Sequence, residues 1–332
     1  TALADSWYYW KVKSITADGN SSYTETRTFL VDTIYPGINF SSPTPADNSQ
    51  QNYNSIYVNY TVNDTNRKYS LIDFDNSLVS LWRMEQGNGT FFVDDMGRNN
   101  GTCTGTACPS YISAGAFGGA YRGDGVNNKI SLRNDASLQN FSQKSVSLWI
   151  NTAGYALPGS ATDIISLGYW AAPYGDLFRM DESGNVLFYV RNLSGTVTFY
   201  GGVGAGLKGV WNQIGYTYNG TTVRYYVNGQ LAVGADDSLT GLIASNNALT
   251  LGGGGNNFNG SIDEVMIFNR SLSSEEVTAL YNATSTYHNF TSLSDGNHTI
   301  KAYVVDESGN KNSTETRTIR YNALPVISSA IL

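Results

Sequence analysis

The chain is poor in charge. Asp, Glu, Lys and Arg make up only 14% of its 332 residues, about half of the share found in ordinary soluble domains. Its 20 basic side chains are outnumbered by 27 acidic ones, which gives a net charge of -7. A nucleic-acid-binding surface needs a basic stripe that displaces counterions from phosphates, and this composition offers none. We therefore expect no nucleic-acid partner.

Long apolar runs are also missing. No stretch of about 18 consecutive apolar residues occurs, so we expect no membrane span in this window. The 41% of apolar residues nevertheless suffices for a packed core, which excludes wholesale disorder. Nothing at Thr1–Trp10 resembles a signal peptide, and we expect any targeting segment to have been removed or to lie outside this stretch.

Cysteine is almost absent. Cys103 and Cys108 stand in Cys-Thr-Gly-Thr-Ala-Cys, and two thiols this close in a glycine-containing loop can reach disulfide geometry. A zinc site would need two further ligands, and no other Cys or His lies nearby. We expect a disulfide, which favours an oxidising compartment.

Glycosylation sequons are abundant. Composition alone predicts roughly 7 Asn-x-Ser/Thr sequons, whereas the chain has 15. The excess favours an extracellular, cell-surface glycoprotein; the alternative is that a turn-rich β protein gains sequons from its Asn and Thr content. The sequons begin at Asn20, Asn39, Asn59, Asn63, Asn88, Asn100, Asn140, Asn192, Asn219, Asn259, Asn269, Asn282, Asn289, Asn297 and Asn312.

An internal repeat indicates tandem domains. Lys11–Phe29 and Lys301–Ile319 align without a gap at an offset of 290 and share Thr-Glu-Thr-Arg-Thr. Each copy is an alternating strand, a turn and a second alternating strand, which is the pattern of a β-hairpin. We interpret residues 1–33 as the closing hairpin of one Ig-like domain. The matching strand start in residues 323–332 is interpreted as the first strand of a following module.

The stretch between the two hairpins predicts an insertion. Residues 34–76 contain three candidate strands, and the closing hairpin arrives only within residues 286–322. The simplest interpretation is one Ig-like sandwich split by a whole domain at residues 77–285, because exposed loops tolerate such insertions. The split halves resemble Ig-like modules of microbial surface proteins in the phrases that end at Asn66 and Asn310.

The inserted stretch is almost entirely β by pattern. Val146, Leu148 and Ile150 alternate with Ser147 and Trp149, as in a half-buried strand. An Asn-Gly pair at 228–229 predicts a tight hairpin turn. The single clear helix is predicted over 273–281, where Ser and Glu three residues apart form a capping box.

Several phrases in this stretch resemble a known family. They are Ala-Phe-Gly-Gly-Ala-Tyr-Arg-Gly-Asp at 116–124, Ser-Val-Ser-Leu-Trp-Ile at 145–150, Trp-Asn-Gln-Ile-Gly-Tyr at 211–216 and Ser-Ile-Asp-Glu-Val-Met-Ile-Phe-Asn-Arg at 261–270. Together they resemble the laminin-G-like domain of the concanavalin A-like lectin/glucanase superfamily. The resemblance implies an all-β fold, a two-sheet jelly roll inserted into the Ig-like sandwich, and a role in binding glycans or proteins.

The resemblance also implies a structural Ca²⁺ ion. Domains of this superfamily often hold calcium between early and late strands with carboxylate and carbonyl oxygens, which suit this hard cation. The matching positions are Asp124 and Asp263, with Glu85 as a third. The alternative is that Asp263 only accepts hydrogen bonds from backbone amides near the start of the helix.

An aromatic loop is the candidate ligand site. Tyr169, Trp170 and Tyr174 lie between glycines, and exposed rings of this kind stack on sugar faces. Asp176 would supply hydrogen bonds to such a sugar. The alternative is that these rings fill the core, as aromatic side chains more often do.

No catalytic residues are assigned. Adjacent carboxylates, such as Asp263 and Glu264, face opposite sides of a regular strand and are poorly placed for concerted acid–base catalysis. The two histidines, His288 and His298, lie outside the insertion and suggest no Ser-His-Asp arrangement. We therefore expect a protein that is not an enzyme.

The sequence predicts a non-catalytic extracellular surface protein, structural or adhesive, within a repeating cell-surface array or filament. Its expected partners are other copies or neighbouring modules of the same surface protein, and glycans. The alternative is a glycan-binding module of a larger carbohydrate-active enzyme. Calcium-dependent binding to defined glycans would favour that alternative, whereas regular fibres would favour the array.

Overall fold

A computed structural model describes residues 3–66, 68–85, 90–133, 135–154, 160–167, 175–203, 208–236, 239–243, 249–282 and 286–323. The N-terminal part of the chain forms two short antiparallel pairs, β1 with β4 and β2 with β3. Four further strands follow before the predicted insertion. The strands of this part are β1 (Ser6–Trp10), β2 (Ile15–Thr16), β3 (Gly19–Asn20), β4 (Arg27–Val31), β5 (Gly37–Ser41), β6 (Ser49–Gln51), β7 (Ser55–Asn63) and β8 (Lys68–Phe74).

The central part of the chain is a large two-sheet sandwich. Its strands are β9 (Leu78–Trp82), β10 (Phe91–Phe92), β11 (Gly101–Thr102), β12 (Ser110–Ile112), β13 (Ala120–Asp124), β14 (Ile130–Leu132), β15 (Lys144–Thr152), β16 (Ala161–Leu167), β17 (Asp176–Asp181), β18 (Val186–Arg191), β19 (Val197–Val203), β20 (Asn212–Tyr218), β21 (Val223–Val227), β22 (Gln230–Asp236), β23 (Leu249–Leu251) and β24 (Asn259–Phe268). One sheet has the order β10-β11-β14-β23-β16-β17-β18-β19. The other has the order β12-β13-β24-β15-β20-β21-β22, with β9 also paired to β24.

The C-terminal part returns to the early strands. It comprises α1 (Ser274–Asn282), β25 (Tyr287–Thr291), β26 (Gly296–Asp306), β27 (Lys311–Ser313) and β28 (Arg317–Tyr321). A three-stranded sheet has the order β25-β7-β5, and a five-stranded sheet has the order β27-β26-β28-β6 with β8 paired to β26. Strands that precede the large sandwich in the sequence and strands that follow it thus form one smaller sandwich.

These observations confirm the prediction of an all-β fold with jelly-roll-like sandwich sheets. Val146, Leu148 and Ile150 of β15 are buried together in the large core, as their alternation predicts. The Asn-Gly turn is present between β21 and β22, with Asn228 and Gly229 both at positive φ. The domain boundaries and the Ig-like class of the smaller sandwich stay predictions, and residues 324–332 of the predicted following strand lie outside the described residues.

The internal repeat is preserved in the strand register. In the β1–β4 pair, Ser6 is opposite Val31 and Trp10 is opposite Arg27. Adding 290 to each number gives the register of the β26–β28 pair, from Gly296 opposite Tyr321 to Ile300 opposite Arg317. The two hairpins are therefore equivalent, although their surroundings differ.

The five-stranded sheet is covered on both faces. Phe74 of β8 packs with Ile56 and Val58 inside the smaller sandwich. From the other face, Tyr69 and Leu71 pack with residues of the large sandwich and of α1. Because strand neighbours point to opposite faces, β8 belongs to two cores at once.

Candidate functional site

Three carboxylates, two of them fully buried and one half-buried, gather where the large sandwich meets the smaller one. They belong to Glu85, which follows β9, and to Asp263 and Glu264 of β24; we call this group the acidic centre. The β24 register against β15 shifts at this point, and Glu264 has a positive φ of 44°. The shift is a β-bulge, in which one strand carries an extra residue.

The bulge explains how two adjacent carboxylates share one side of the strand. Ile262 and Val265 both pack into the large core, so the two residues between them lie on the other side. The expectation that Asp263 and Glu264 face opposite sides is therefore wrong. A regular strand pattern predicts no bulge here. The signal of the bulge in the sequence is the pair of polar residues between Ile262 and Val265, where strict alternation would place one.

The acidic centre holds a glycine-rich loop at residues 115–119. Asp263 accepts a hydrogen bond from the Phe117 amide at 3.1 Å and one from the Glu264 amide at 2.8 Å. Glu85 accepts one from the Gly119 amide at 2.8 Å. Gly118 has a φ of +71°, and a Cβ there would overlap the Glu85 carboxylate. Glycine is therefore required for the loop to approach this carboxylate.

Burial and like charge make the acidic centre costly to ionise. Burial raises the pKa of Glu85 to about 8 and that of Glu264 to about 7. It also raises the pKa of Asp263 well above its usual range, with a further contribution from the neighbouring Glu264. Among the described residues, neither carboxylate oxygen of Glu264 has a hydrogen-bond partner, and neither does Oε1 of Glu85.

Basic side chains compensate part of this charge. Arg83 Nε contacts Asp95 at 2.8 Å, and its Nη1 lies 3.9 Å from Glu264 Oε1. Lys311, on β27, contacts the other oxygen of Asp95 at 2.6 Å. Asp95 thereby joins a cation of the large sandwich to a cation of the smaller one.

The predicted calcium set is not brought together as a whole. Glu85 and Asp263 both contact the 115–119 loop, but Asp124 does not belong to the acidic centre. Asp124 is opposite Asn259 in the β13–β24 pair, and Asp263 lies four positions further along β24, about 13 Å away. The exposed Asp124 instead accepts hydrogen bonds from the amides of a tight turn, including that of Val126.

A cleft of about 640 Å³ opens beside the acidic centre. Its wall combines Trp7 of the N-terminal hairpin, Glu85, Tyr111 of β12 with the glycine-rich loop that follows it, and Glu307 in the turn between β26 and β27. Trp7 is 52% exposed and Tyr111 is 37% exposed. Aromatic faces next to carboxylates are typical of sugar-binding surfaces. The sequence alone does not reveal this cleft, because its residues come from four distant segments.

Of the four residues predicted to bind a ligand, the structure describes only Asp176. Tyr169, Trp170 and Tyr174 lie outside the described residues. The prediction that Asp176 contacts a surface ligand is wrong, because its side chain is fully buried and paired with Lys144. Asp176 begins β17 on the inward side, as its alternation with the core residues Phe178 and Met180 indicates.

The cysteine prediction is confirmed. Cys103 and Cys108 form a disulfide with Cα atoms 5.0 Å apart. It lies in the loop between β11 and β12, in the large sandwich.

A second acidic group was missed by the sequence analysis. Asp32, Asp64 and Asp306 offer carboxylate oxygens that all lie within 4.8 Å of one another. Asp306 also accepts hydrogen bonds from the amides of Ser308 and Asn310, as expected for the predicted turn between the two strands of the repeat. Only the fold brings these three distant residues together.

Comparison with known proteins identifies a family match within the large sandwich. Residues 124–278 match the family model of the concanavalin A-like lectin/glucanases superfamily, which confirms the predicted resemblance for this segment. The match covers just under half of the chain. No curated protein matches the chain significantly. Within the described residues, no helix has the length and apolar character required to cross a membrane.

Solved structures share the fold at low sequence identity. The binding domain of Paraclostridial Mosquitocidal Protein 1 aligns with 63% of this chain at 19% identity and a TM-score of 0.53, and 52% of that chain is covered. A variant of HCR/D aligns with 63% at 15% identity and a TM-score of 0.51, again with 52% covered. Domain 4 of AbnA, an extracellular arabinanase from Geobacillus stearothermophilus in complex with arabinotriose, aligns with 62% at 20% identity and a TM-score of 0.48, with 98% covered. The chain thus spans about half the length of the first of these structures.

Proposed function

We propose that this chain is a non-catalytic extracellular binding module of a surface protein, and that it binds a glycan in the cleft beside the acidic centre. The observation that carries the proposal is the pairing of exposed Trp7 and Tyr111 with carboxylates around about 640 Å³ of space. The family match and the disulfide support the proposal. The first solved structure named above, that of Paraclostridial Mosquitocidal Protein 1, is itself a binding domain.

A Ca²⁺ ion at the acidic centre is part of this proposal. Among the described residues, the four carboxylates of Glu85, Asp95, Asp263 and Glu264 face the two cations Arg83 and Lys311. Raised pKa values and buried oxygens without partners are what a carboxylate site shows when a cation is needed to compensate it. Glu85 and Asp263 would hold the ion, which would fix the glycine-rich wall of the cleft.

Calcium titration with two matched variants tests the ion. We expect calorimetry to show binding to the unaltered chain and to Asp124→Asn, because Asp124 lies outside the acidic centre. Glu85→Gln, which removes one ligand charge, should weaken binding at least about tenfold. Equal calcium affinity in Glu85→Gln, or loss of binding in Asp124→Asn, would contradict the assignment.

An oligosaccharide array tests the ligand class. The unaltered chain should bind defined glycans, and Trp7→Ala and Tyr111→Ala should each weaken binding about tenfold or more, because a stacked ring contributes on the order of 1–2 kcal/mol. Tyr53→Ala is the matched control, since Tyr53 is 59% exposed and does not line the cleft. A chain that binds no glycan, or that releases reducing ends from a polysaccharide, would refute the proposal.

A repeating surface array is the second candidate function. It is favoured by the equivalent registers of the β1–β4 and β26–β28 hairpins, which indicate a tandem architecture. In this arrangement the partners are other copies or neighbouring modules of the same surface protein. Electron microscopy of native material should show regular fibres with one bulge per repeat, whereas dispersed single rods would exclude a filament.

A further inference from the structure

A lysine and an aspartate meet inside the large core. Lys144 is the first residue of β15 and Asp176 is the first residue of β17, which belong to the two facing sheets. Both side chains are completely buried, and Lys144 Nζ lies 2.6 Å from Asp176 Oδ2. Charged side chains are rarely found in such a position, since removing both ions from water costs several kcal/mol per ion.

Aromatic rings enclose the pair. The Phe141 ring centroid is 4.7 Å from Lys144 Nζ, and Phe178 of β17 packs edge-on against Tyr216. The Tyr216 hydroxyl donates a 2.6 Å hydrogen bond to the same oxygen, Oδ2 of Asp176. The other oxygen, Oδ1, is buried and has no hydrogen-bond partner among the described residues.

Amide formation requires an uncharged amine beside a carboxyl group. In an apolar core, transfer of one proton from the ammonium to the carboxylate removes two buried charges at once. The transfer leaves a neutral amine beside a neutral carboxylic acid. A neutral amine is a nucleophile, and its nitrogen is held within contact distance of the carboxyl group, which is the condition for an efficient intramolecular reaction.

We propose that Lys144 and Asp176 form an intramolecular amide bond that covalently links the two sheets of the large sandwich. The lone pair of Lys144 Nζ attacks Asp176 Cγ, and a new C–N bond forms. The bond from Cγ to Oδ1 breaks, and Oδ1 leaves as water with the two hydrogens that the amine and the acid supply. The products are one amide and one water molecule, with no oxidant, reductant or cofactor required.

Tyr216 is the residue that assists this step. Its hydroxyl contacts Oδ2, the oxygen that carries the negative charge when the carbonyl carbon becomes tetrahedral and that remains in the amide. Burial and the neighbouring Asp176 raise the pKa of Tyr216 well above its usual range, so the phenol keeps its proton as a hydrogen-bond donor. Donors aimed at a developing oxyanion lower the barrier of acyl transfer.

The neighbouring Arg179–Asp163 pair provides an internal contrast. It also joins charged side chains at 2.8 Å, but Arg179 is 19% exposed. A guanidinium stays protonated and is not a nucleophile at neutral pH. We expect no covalent bond at that pair. The amide bond would close a loop between residues 32 apart in sequence, which restricts the unfolded chain in the same manner as a disulfide.

Intact mass spectrometry of the denatured, disulfide-reduced chain tests the proposal directly. We expect a mass lower than that of the sequence by one water. Peptide sequencing should place the loss in a branched peptide that joins β15 to β17. A mass equal to that of the sequence, with no loss of water after prolonged incubation, would overturn the proposal. A linear peptide carrying the loss would also overturn it, because Asp-Gly steps such as Asp124–Gly125 lose water by forming a succinimide.

Two variants separate the reacting residue from the assisting one. Lys144→Arg keeps the positive charge but cannot form the amide, and its mass should equal that of its sequence. Tyr216→Phe should form the branched peptide at least about tenfold more slowly, because an oxyanion donor is lost. Retention of the water loss in Lys144→Arg would refute the linkage, and an unchanged rate in Tyr216→Phe would refute the role of Tyr216. The mass of the unaltered chain decides the linkage even if a variant fails to fold.

Discussion

At the scale of single residues, the start of α1 is held by a compact set of polar contacts. The Ser273 hydroxyl accepts a hydrogen bond from the Glu276 amide, and Glu276 accepts one from the Ser273 amide, which is the predicted capping box. Arg270 adds a two-pronged ion pair, with Nη1 and Nη2 at 2.8 and 2.6 Å from the two oxygens of Glu276. The pair connects the end of β24 to the helix.

We expect Glu276→Gln to lower the free energy of unfolding by about 1–3 kcal/mol at neutral pH, because a largely buried ion pair is lost while the cap remains. The hydrogen bonds and charge of Arg270 hold the pKa of Glu276 below its usual 4.5 despite burial. This contribution is therefore present above that usual value and is lost as the pH falls through the lower folded-state pKa. Urea denaturation at several pH values measures it.

Glu275→Gln is the matched control for Glu276→Gln. It removes the same charge from the first helical turn but leaves the Arg270 pair intact, so its effect should be a few tenths of a kcal/mol. Equal destabilisation by both variants would assign the stability to the helix dipole instead. An effect of Glu276→Gln that persists in acid would show that the stability does not come from the charge of Glu276.

The residues of the candidate site were predictable to different extents. Glu85 and Asp263 follow from family motifs, and the disulfide follows from spacing. Asp124 matches a motif too, but the motif does not report that its carboxylate is used by a turn. The prediction for Asp176 is wrong because it treats the residue as part of the aromatic loop, whereas its alternation with Phe178 and Met180 in β17 indicates an inward side chain. Its partner Lys144 was detectable, since it continues the inward alternation of Val146, Leu148 and Ile150.

At the scale of secondary-structure elements, the outer face of the β25-β7-β5 sheet is unusual because it lacks charge. Its outward residues are Gly37, Asn39, Ser41, Ser55, Tyr57, Asn59, Thr61, Asn63, Tyr287, Asn289 and Thr291. Tyr57 and Tyr287 stack with ring centroids 6.0 Å apart. Exposed sheets usually carry charges that prevent association, and four of these asparagines begin sequons instead.

We expect glycans on this face, which would take the place of the missing charges. In the folded, secreted protein from a host with N-glycosylation machinery, Asn39, Asn63 and Asn289 should carry sugar. Asn192 should not, because it is 4% exposed and its amide nitrogen donates to the Thr240 carbonyl at 2.8 Å. Glycopeptide mass spectrometry checks both expectations. An occupied Asn192 or bare sites across the face would contradict them.

The β1–β4 hairpin exposes a face that its repeat buries. Trp10 is 45% exposed and Phe29 is 41% exposed, whereas the equivalent Ile300 and Ile319 of the second hairpin are fully buried. The second hairpin is covered by Ile56, Val58 and Phe290 of the three-stranded sheet. Since the registers are the same, the first hairpin presents the same kind of sheet face without that cover.

This exposed face predicts self-association of the chain. Sedimentation velocity should show association that increases with concentration, and Trp10→Lys combined with Phe29→Lys should weaken it about tenfold or more, because each buried ring contributes on the order of 1.5–3 kcal/mol. Tyr53→Lys places the same charge on an exposed tyrosine elsewhere and should leave association unchanged. A chain that stays monomeric at every concentration would refute the prediction.

At the scale of the whole molecule, the two sandwiches are joined by packing as well as by the chain. Tyr69, Leu71 and Val305 of the smaller sandwich belong to the same apolar cluster as Trp149 and Met266 of the large one. Asp95 adds the ionic link between Arg83 and Lys311. The sequence predicted two sandwiches, but it did not predict this shared core, because the alternation within β8 is compatible with burial of one face or of both.

A shared core makes the two sandwiches unfold together. We expect one calorimetric transition, whose midpoint falls in Leu71→Ala because loss of a buried leucine side chain costs about 2–5 kcal/mol. The transition should not split, since Leu71 packs against residues of both sandwiches. Val58→Ala, which lies within the smaller core alone, is the matched control and should also move the single transition. Two separate transitions, of which Leu71→Ala moves only one, would show that each sandwich is stable without the other and that the contacts at β8 do not couple them.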